Sequence, residues 1–314
     1  MLAIVIPYFK FTFFEATLQS LANQTDKRFK VYIGDDASPE NPINLLDKYK
    51  GKLGFVYHRF EENLGGTSLV QQWERCIALS GNEEWMMILG DDDVLGETVV
   101  EAFYTNLEEI KSVSNVVRFA SYKIDGKGKK VSLAYLNKKI ESSTDFLFSG
   151  SRSSLSEHVF NKKQVIEIGF KDFPLAWLSD VLAVMEFSDF KEIYSINEAY
   201  VYVRTSHLNI SGRQDNLEQK AKAYFLFHVY LLTEKYNCFN QAQKQELQQR
   251  INKCYINNKK DLFLFYKISK IYCNKFLIFD YFRFIKSIFL NLKKNENRKQ
   301  SPKMGNKDRF DNIS

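Results

Sequence analysis

Three consecutive aspartates, Asp91, Asp92 and Asp93, follow an apolar run in the stretch WMMILGDDDVLGE. Like charges set side by side at the end of a buried strand need a reason. Two carboxylates facing one hard cation, with diphosphate oxygens completing its shell, make a magnesium or manganese site. Such an ion would offset the charge of a departing diphosphate as a Lewis acid. A solvated turn, with Asp93 leading into a helix, explains the triplet equally well. GDDAS forms a second polar cluster. A carboxylate there can accept hydrogen bonds from a base or ribose, as acidic residues do in dinucleotide folds. Taken alone, the cluster reads more simply as Asp35, Asp36 and Ser38 capping a turn.

The elements that must position these residues show in the periodicity. LAIVIP, FKVYIGD, GFVYHRF and WMMIL are short apolar or alternating runs, the first stopped by Pro7. They predict strands. FFEATLQSLANQ and TSLVQQWERCIALSG carry apolar residues at helical spacing between them. Strands alternating with helices predict an α/β fold, with a central, mostly parallel sheet and helices on both faces. Ligands in such sheets bind beyond the carboxyl ends of the strands. Pro7 to Lys10, Asp35 to Ser38 and Asp91 to Asp93 all fall at those ends, so they should converge on one crevice. Further on, VVRFASYKIDGKGKKVSLAYL predicts a hairpin turning at Asp125 to Lys129, and FPLAWLSDVLAVMEFS predicts a helix with Asp180 in its first turn. From about Asn216 the pattern is mostly helical.

Composition excludes several classes. The chain has 314 residues, 45% of them hydrophobic, and its four cysteines contain no CxxC pair, so neither a zinc knuckle nor a disulfide framework is expected. A reducing, cytoplasmic setting fits. The N-terminus has no basic residue before its apolar run and does not read as a leader. No stretch predicts a spanning helix. No GxGxxG follows the first strand, which argues against a nicotinamide enzyme. Net charge is +6, yet Tyr255 to Ser314 alone holds 14 basic and 5 acidic residues, leaving a mildly acidic body.

In order and spacing, these motifs resemble the start of the family 2 glycosyltransferases. The pattern runs from Pro7-Tyr8-Phe9 through Leu21, Gln24 and Thr25 to Asp35-Asp36-Ala37-Ser38. Asn63-Leu64-Gly65 and the Asp triplet complete it. The resemblance covers about the first 120 residues well and extends more loosely to about residue 215. It implies a GT-A (Rossmann-like) fold and transfer of a sugar from a nucleotide donor, with inversion, in the presence of manganese or magnesium. By resemblance, Pro7 and Phe9 line the base and Asp36 holds the uracil or ribose end. Asp91 lies nearer the ribose, Asp92 binds the metal with Asp93 in support, and His207 touches the diphosphate or metal. Asp180 is the implied catalytic base, taking the acceptor hydroxyl's proton. Two departures stand out. Gly90 replaces the first acid of the family's frequent Asp-x-Asp, and Gln71 and Gln72 stand where an Arg or Asn is common in the helix after Asn-x-Gly. Arg204 and Arg213 flank His207 and offer bidentate contacts to phosphate.

Domain limits follow. Residues 1–215 form the transferase domain, with a nucleotide half (1–95) and an acceptor half (96–215). Residues 216–314 form a helical, basic, aromatic-rich extension with a frayed end. In that extension KKDLFLFYKISKIYCNKFLIFDYFRFIKSIFLNLKK sets Phe residues among cations. It suits the surface of an anionic inner membrane, although a packed helical cap with solvated lysines is the simpler alternative. Nucleic acid is not an expected partner. The expected protein therefore joins a nucleotide-sugar donor to a saccharide or lipid-linked acceptor in cell-surface polysaccharide synthesis, peripherally attached at the cytoplasmic membrane face. The rival readings are an aspartate-nucleophile phosphatase and a non-catalytic nucleotide-sugar-binding subunit.

Overall fold

The computed structural model describes residues 1–150, 153–206, 212 and 215–300, with no side chains described after residue 291. Its strands are β1 (Leu2–Tyr8), β2 (Phe29–Asp35), β3 (Phe55–Arg59), β4 (Trp85–Ile88), β5 (Val94–Leu95), β6 (Val116–Ile124), β7 (Ile140–Ser142), β8 (His158–Asn161) and β9 (Glu192–Arg204). The helices of the first half are α1 (Phe14–Ala22), α2 (Ile43–Asp47), α3 (Leu69–Ile77), α4 (Val99–Thr105) and α5 (Leu107–Val113). They are followed by α6 (Ser143–Phe148), α7 (Lys162–Ile168), α8 (Ser179–Phe187), α9 (Leu217–Glu234), α10 (Gln241–Asn257), α11 (Leu262–Asn274) and α12 (Ile278–Gln300).

All four strands expected from the first ninety residues form. They pair in the order β3-β2-β1-β4, parallel throughout, with Ile4 opposite Val31 on one side and Met87 on the other. Because side chains alternate across a strand, Leu2, Ile4 and Ile6 face one core while Ala3 and Val5 face another. Helices α1, α2, α4 and α5 cover the first face, and α3, α7 and α8 cover the second. The parallel character stops at β4. Strand β8 enters antiparallel between β4 and β6, β6 runs parallel to β9, and β5 and β7 add antiparallel to β9. The second half of the sheet is thus mixed, because β8 arrives from the short turn Leu155–Glu157 and not from a crossover helix.

The expected hairpin turns where its glycines place it. Asp125 N donates to Lys129 O (2.9 Å), and Gly128 takes a φ of +79°, in the left-handed region that glycine occupies without a Cβ clash. The returning arm pairs with β6 through isolated bridges, Ile124 to Lys130 and Ser121 to Tyr135, with Ser132 Oγ accepting from Lys123 N (2.9 Å) between them. The helix bearing Asp180 starts later than its apolar pattern, at Ser179, after a 3₁₀ turn at Pro174–Ala176.

Two compact units divide the chain, Met1–Phe227 and His228–Ser314; composition alone places the change earlier, near residue 215. In the second unit, Leu247 and Ile251 of α10, Ile268 and Tyr272 of α11 and Phe284 of α12 are buried. Tyr255, Phe265, Tyr272 and Phe284 pack ring against ring there, with centroids 5.4 to 6.1 Å apart. Among the described residues no helix is long and apolar enough to span a membrane.

Gly34 in β2 shows how tightly the second core closes beneath the site. A Cβ there would sit 2.2 Å from Cys76 Sγ and 3.0 Å from Phe60 Cε2. Gly34→Ala should destabilise the fold by about 1–3 kcal/mol through overpacking. Introduced into Cys76→Ala, the same change should cost much less. Urea denaturation of the four proteins measures this, and an additive double mutant would contradict it.

Candidate active site

The three polar clusters do converge at the carboxyl ends of β1, β2 and β4, and backbone groups carry much of the joining. Asp91 Oδ2 accepts the amides of both Phe9 (2.8 Å) and Lys10 (2.7 Å), tying the triplet to the end of β1. Ser38 Oγ donates to Phe9 O (2.6 Å), and Asp36 N donates to Tyr8 O (3.0 Å), tying the end of β2 to the same turn. Ala37, at φ +53°, makes the bend that returns Ser38 N to Asp35 Oδ1 at 2.8 Å.

Asp35 and Asp36 have different surroundings. Asp35 is fully buried and accepts from Tyr57 Oη (2.6 Å) and Arg59 Nη1 (2.8 Å). Burial of Tyr57, then its hydrogen bond to the Asp35 charge, pushes the Tyr57 hydroxyl up to about 12. Asp36, only 4% exposed, takes the amides of Leu64 (2.8 Å) and Gly65 (3.0 Å) and is ion-paired with Arg75 of α3. A carboxylate has about four lone-pair directions, so three donors leave Asp36 one for a further N–H. Gly65 is required by this latch, since a Cβ there would lie 2.5 Å from Asp36 Oδ2. Arg75, stacked 3.9 Å over the Phe60 ring, is a site residue that the sequence did not reveal. It stands one helical turn beyond Gln71, where a basic residue was sought. Gln72 turns inward instead, donating to Gly34 O at 3.2 Å.

The aspartates of the triplet also divide. Asp93 is buried, and its Oδ1 accepts the amide of Arg204 at the end of β9 (2.8 Å). The Arg204 side chain, itself buried, donates from Nε to Asp92 O (2.8 Å) and from Nη1 to Asp125 O (2.6 Å). Its guanidinium lies 4.4 Å from the Phe13 ring centroid. Thr17 Oγ1 bonds the carbonyls of Asp91 (3.1 Å) and Asp93 (2.8 Å). Arg204 therefore braces the triplet from behind. Burial, then the adjacent Asp92 charge, pushes the Asp91 carboxyl up to about 7, against the pull of the Lys10 and Phe9 amides. A pair of crowded hard carboxylate oxygens suits a divalent ion. Among the described residues no group of three or more acidic, His or Cys side chains surrounds a common point, so water and diphosphate would have to supply most of the ion's shell.

Asp180 opens α8 on the second face of the sheet, partly buried. The segment before it is strained, with Leu175, Ala176 and Leu178 at φ +61°, +50° and +69°. Non-glycine residues hold such angles only when their surroundings fix them, and the fixings come from two directions. Ser179 Oγ donates to Lys171 O (2.6 Å). Helix α3 pins the approach, with Ser68 Oγ on Asp172 Oδ2 (2.7 Å) and Glu74 Oε1 accepting Phe170 N (3.2 Å). The helix that holds Asp36 through Arg75 thus also anchors the segment leading to Asp180. Pro7 and Phe9 sit at the crevice edge, partly exposed. His207 and Arg213 lie outside the described residues.

The model of glycosyl transferase family 2 matches residues 3–180. The chain belongs to this family. It is 27% identical over 238 residues to the poly(ribitol-phosphate) beta-N-acetylglucosaminyltransferase TarP of Staphylococcus aureus, covering 70% of each protein. An uncharacterized glycosyltransferase of Haemophilus influenzae is 25% identical over 250 residues, covering 76% of this chain and 81% of its own length. The crystal structure of S. aureus TarS 1–349 in complex with UDP-GlcNAc superposes with a TM-score of 0.64 at 18% identity, over 83% of this chain and 74% of that one. This similarity confirms the GT-A fold. The protein is a glycosyltransferase that uses a nucleotide sugar, and a phosphatase built on the Asp triplet is set aside.

The Asp91 shift carries a sign. A carboxyl raised from its ordinary value binds more protons folded than unfolded, so it lowers stability progressively as pH rises between about 4 and 7. Asp91→Asn keeps an oxygen for the Phe9 and Lys10 amides and removes the charge. Without added metal, the variant should melt above wild type at pH 8, with the gap closing towards pH 4. Identical pH profiles in thermal denaturation would contradict this.

Proposed function

We propose that the protein is an inverting transferase moving a sugar from a UDP-linked donor to a saccharide or lipid-linked acceptor in cell-surface polysaccharide synthesis. The observation that carries this is the clamp of Asp91 by the Phe9 and Lys10 amides beside the Asp36 latch. It builds a floor for a nucleoside diphosphate from three strand ends. Pro7 and Phe9 flank the base, and Asp36 offers its remaining acceptor direction to a base N–H. Asp91 faces the ribose. The relatives support the donor and acceptor classes. TarS was crystallised with UDP-GlcNAc, and the TarP name describes GlcNAc transfer to poly(ribitol-phosphate).

In this assignment Asp92 would hold a manganese or magnesium ion with Asp93 in support, Arg204 fixing the Asp92 carbonyl, and the ion would supply charge neutralisation to the departing diphosphate. His207 is assigned to the diphosphate end. Asp180 accepts the proton of the attacking acceptor hydroxyl, on the face opposite the leaving group. The fixed backbone of the Pro174–Leu178 segment supports this assignment, since a general base requires a held position.

Asp180→Asn should reduce transfer by about 100- to 10,000-fold while donor affinity stays close to wild type. Asp92→Asn should instead abolish the manganese dependence of UDP binding. Calorimetric titration with UDP, run beside a transfer assay, separates the two. Retained turnover in the first variant, or unchanged metal-dependent binding in the second, would remove the corresponding role.

The second unit supports attachment to the inner face of the membrane. Phe276 and Phe279 are 86% and 84% exposed, and Phe282, Phe289 and Leu290 continue along α12 at helical spacing, with Lys286 among them. Exposed aromatics beside cations suit an anionic lipid surface, where each cation near the surface contributes about 1 kcal/mol. Phe276→Ser/Phe279→Ser/Phe282→Ser should release the full-length protein from phosphatidylglycerol vesicles without altering UDP affinity. Equal co-sedimentation of variant and wild type would show that α12 does not hold the membrane.

A further inference from the structure

The body of the protein is mildly acidic, yet the hairpin after β6 gathers Lys123, Lys127, Lys129 and Lys130 within eight residues. None of the four is ion-paired among the described residues. The one acid in the turn, Asp125, directs its carboxylate to the Lys127 and Lys129 amides (both 2.9 Å). Those two bonds, with the neighbouring lysine charges, hold it below the usual carboxylate range. Lys127, Lys129 and Lys130 remain exposed on a turn whose backbone is fixed.

Beside this turn is a groove of about 840 Å³, walled by Phe13, Gln19, Tyr202, Lys127 and Lys130, with Arg204 among its lining residues. That volume lies within the range of small-ligand sites. Lys130 Nζ stands 3.9 Å from the Tyr122 ring centroid and 5.4 Å from that of Tyr202, so aromatic faces hold the cation at the wall. Glu15, the acid lining the groove, is already opposed by Lys48 at 3.7 Å. Cations therefore outnumber the acids left to meet them.

The groove adjoins the triplet. Arg204 donates to Asp92 O and Asp125 O, so one side chain links the crevice loop to the cationic turn. Val94, which follows the triplet, also lines the groove. Whatever occupies it lies next to the loop that holds the donor.

The geometry points to a polyanionic segment of the acceptor chain as the occupant, held by Lys127 and Lys130 next to the loop of the Asp triplet. This deepens the proposed transfer to a polymer acceptor and rests on it. Tyrosine and phenylalanine faces suit the apolar faces of sugar or polyol units, and lysines on the wall meet charges repeated along the chain. A concave wall favours an extended chain over a bilayer. The site is a remote anchor: it holds one part of the acceptor so that a neighbouring hydroxyl reaches the donor, without touching the reacting atoms.

The test uses the full chain and fluorescently labelled oligo(ribitol phosphate), with oligogalacturonate as the carboxylate polyanion and maltoheptaose as the neutral control. Wild type should bind at least one polyanion more tightly than maltoheptaose and lose that preference as salt rises from 20 to about 300 mM, as screening shortens to below about 10 Å. Lys127→Gln/Lys130→Gln should bind that polyanion about 3- to 20-fold more weakly. Which polyanion responds decides between phosphodiester and uronate acceptors. UDP affinity and acceptor-independent hydrolysis of the UDP-sugar, measured on the same samples, should be unchanged. Failure of wild type to bind UDP would count against the proposed donor chemistry and leave the groove result to stand by itself. No preference for a polyanion in wild type, undiminished binding in the variant, or binding transferred to anionic vesicles would overturn the anchor.

Discussion

Three aspartates in a row repel one another, and the structure resolves the conflict by giving them separate attachments. Asp91 is turned to the Phe9 and Lys10 amides, and Asp93 is turned to the Arg204 amide. The carbonyl of Asp92 is held by the Arg204 guanidinium. The loop follows β4 and is tied to the ends of β1 and β9, so it is fixed only when all three strands are in place. Burial, and after it the adjacent Asp92 charge, keeps the Asp91 carboxyl raised even so.

The two halves of the sheet divide the work. The parallel half, β3-β2-β1-β4, ends in backbone groups and buried carboxylates that converge on one crevice. The mixed half contributes Arg204 from β9 and the lysine turn after β6, and so borders the same crevice with cations. Helix α3 links the surroundings of Asp36 to the approach of Asp180, holding Asp36 through Arg75 and Asp172 through Ser68. A displacement of α3 would therefore disturb Asp36 and the segment leading to Asp180 together.

Much of this was legible beforehand. Strand positions in the first ninety residues, the meeting of three polar clusters, the Asp125 turn and Asp180 at a helix start all follow from local pattern. Strands of branched residues alternate with amphipathic helices, and glycine marks the turns. The family motifs were legible for the same reason, since each is a short run at one strand end. Composition also showed the cationic, Phe-rich extension, but the exposure of Phe276 and Phe279 depends on which face α12 packs inward.

Other features needed the folded chain. Nothing near Asp36 in the sequence announces Arg75, which is 39 positions away, nor Arg204 behind Asp93, 111 positions away. The antiparallel entry of β8 between β4 and β6 was equally hidden, because a four-residue strand carries no mark of its direction. Local pattern sets which residues end a strand and which face of an element is apolar, since both depend on backbone periods of a few residues. The partner of each buried charge was decided only by tertiary structure, because an ion pair across the sheet depends on where the chain returns, and the spacing between its members records nothing of that path.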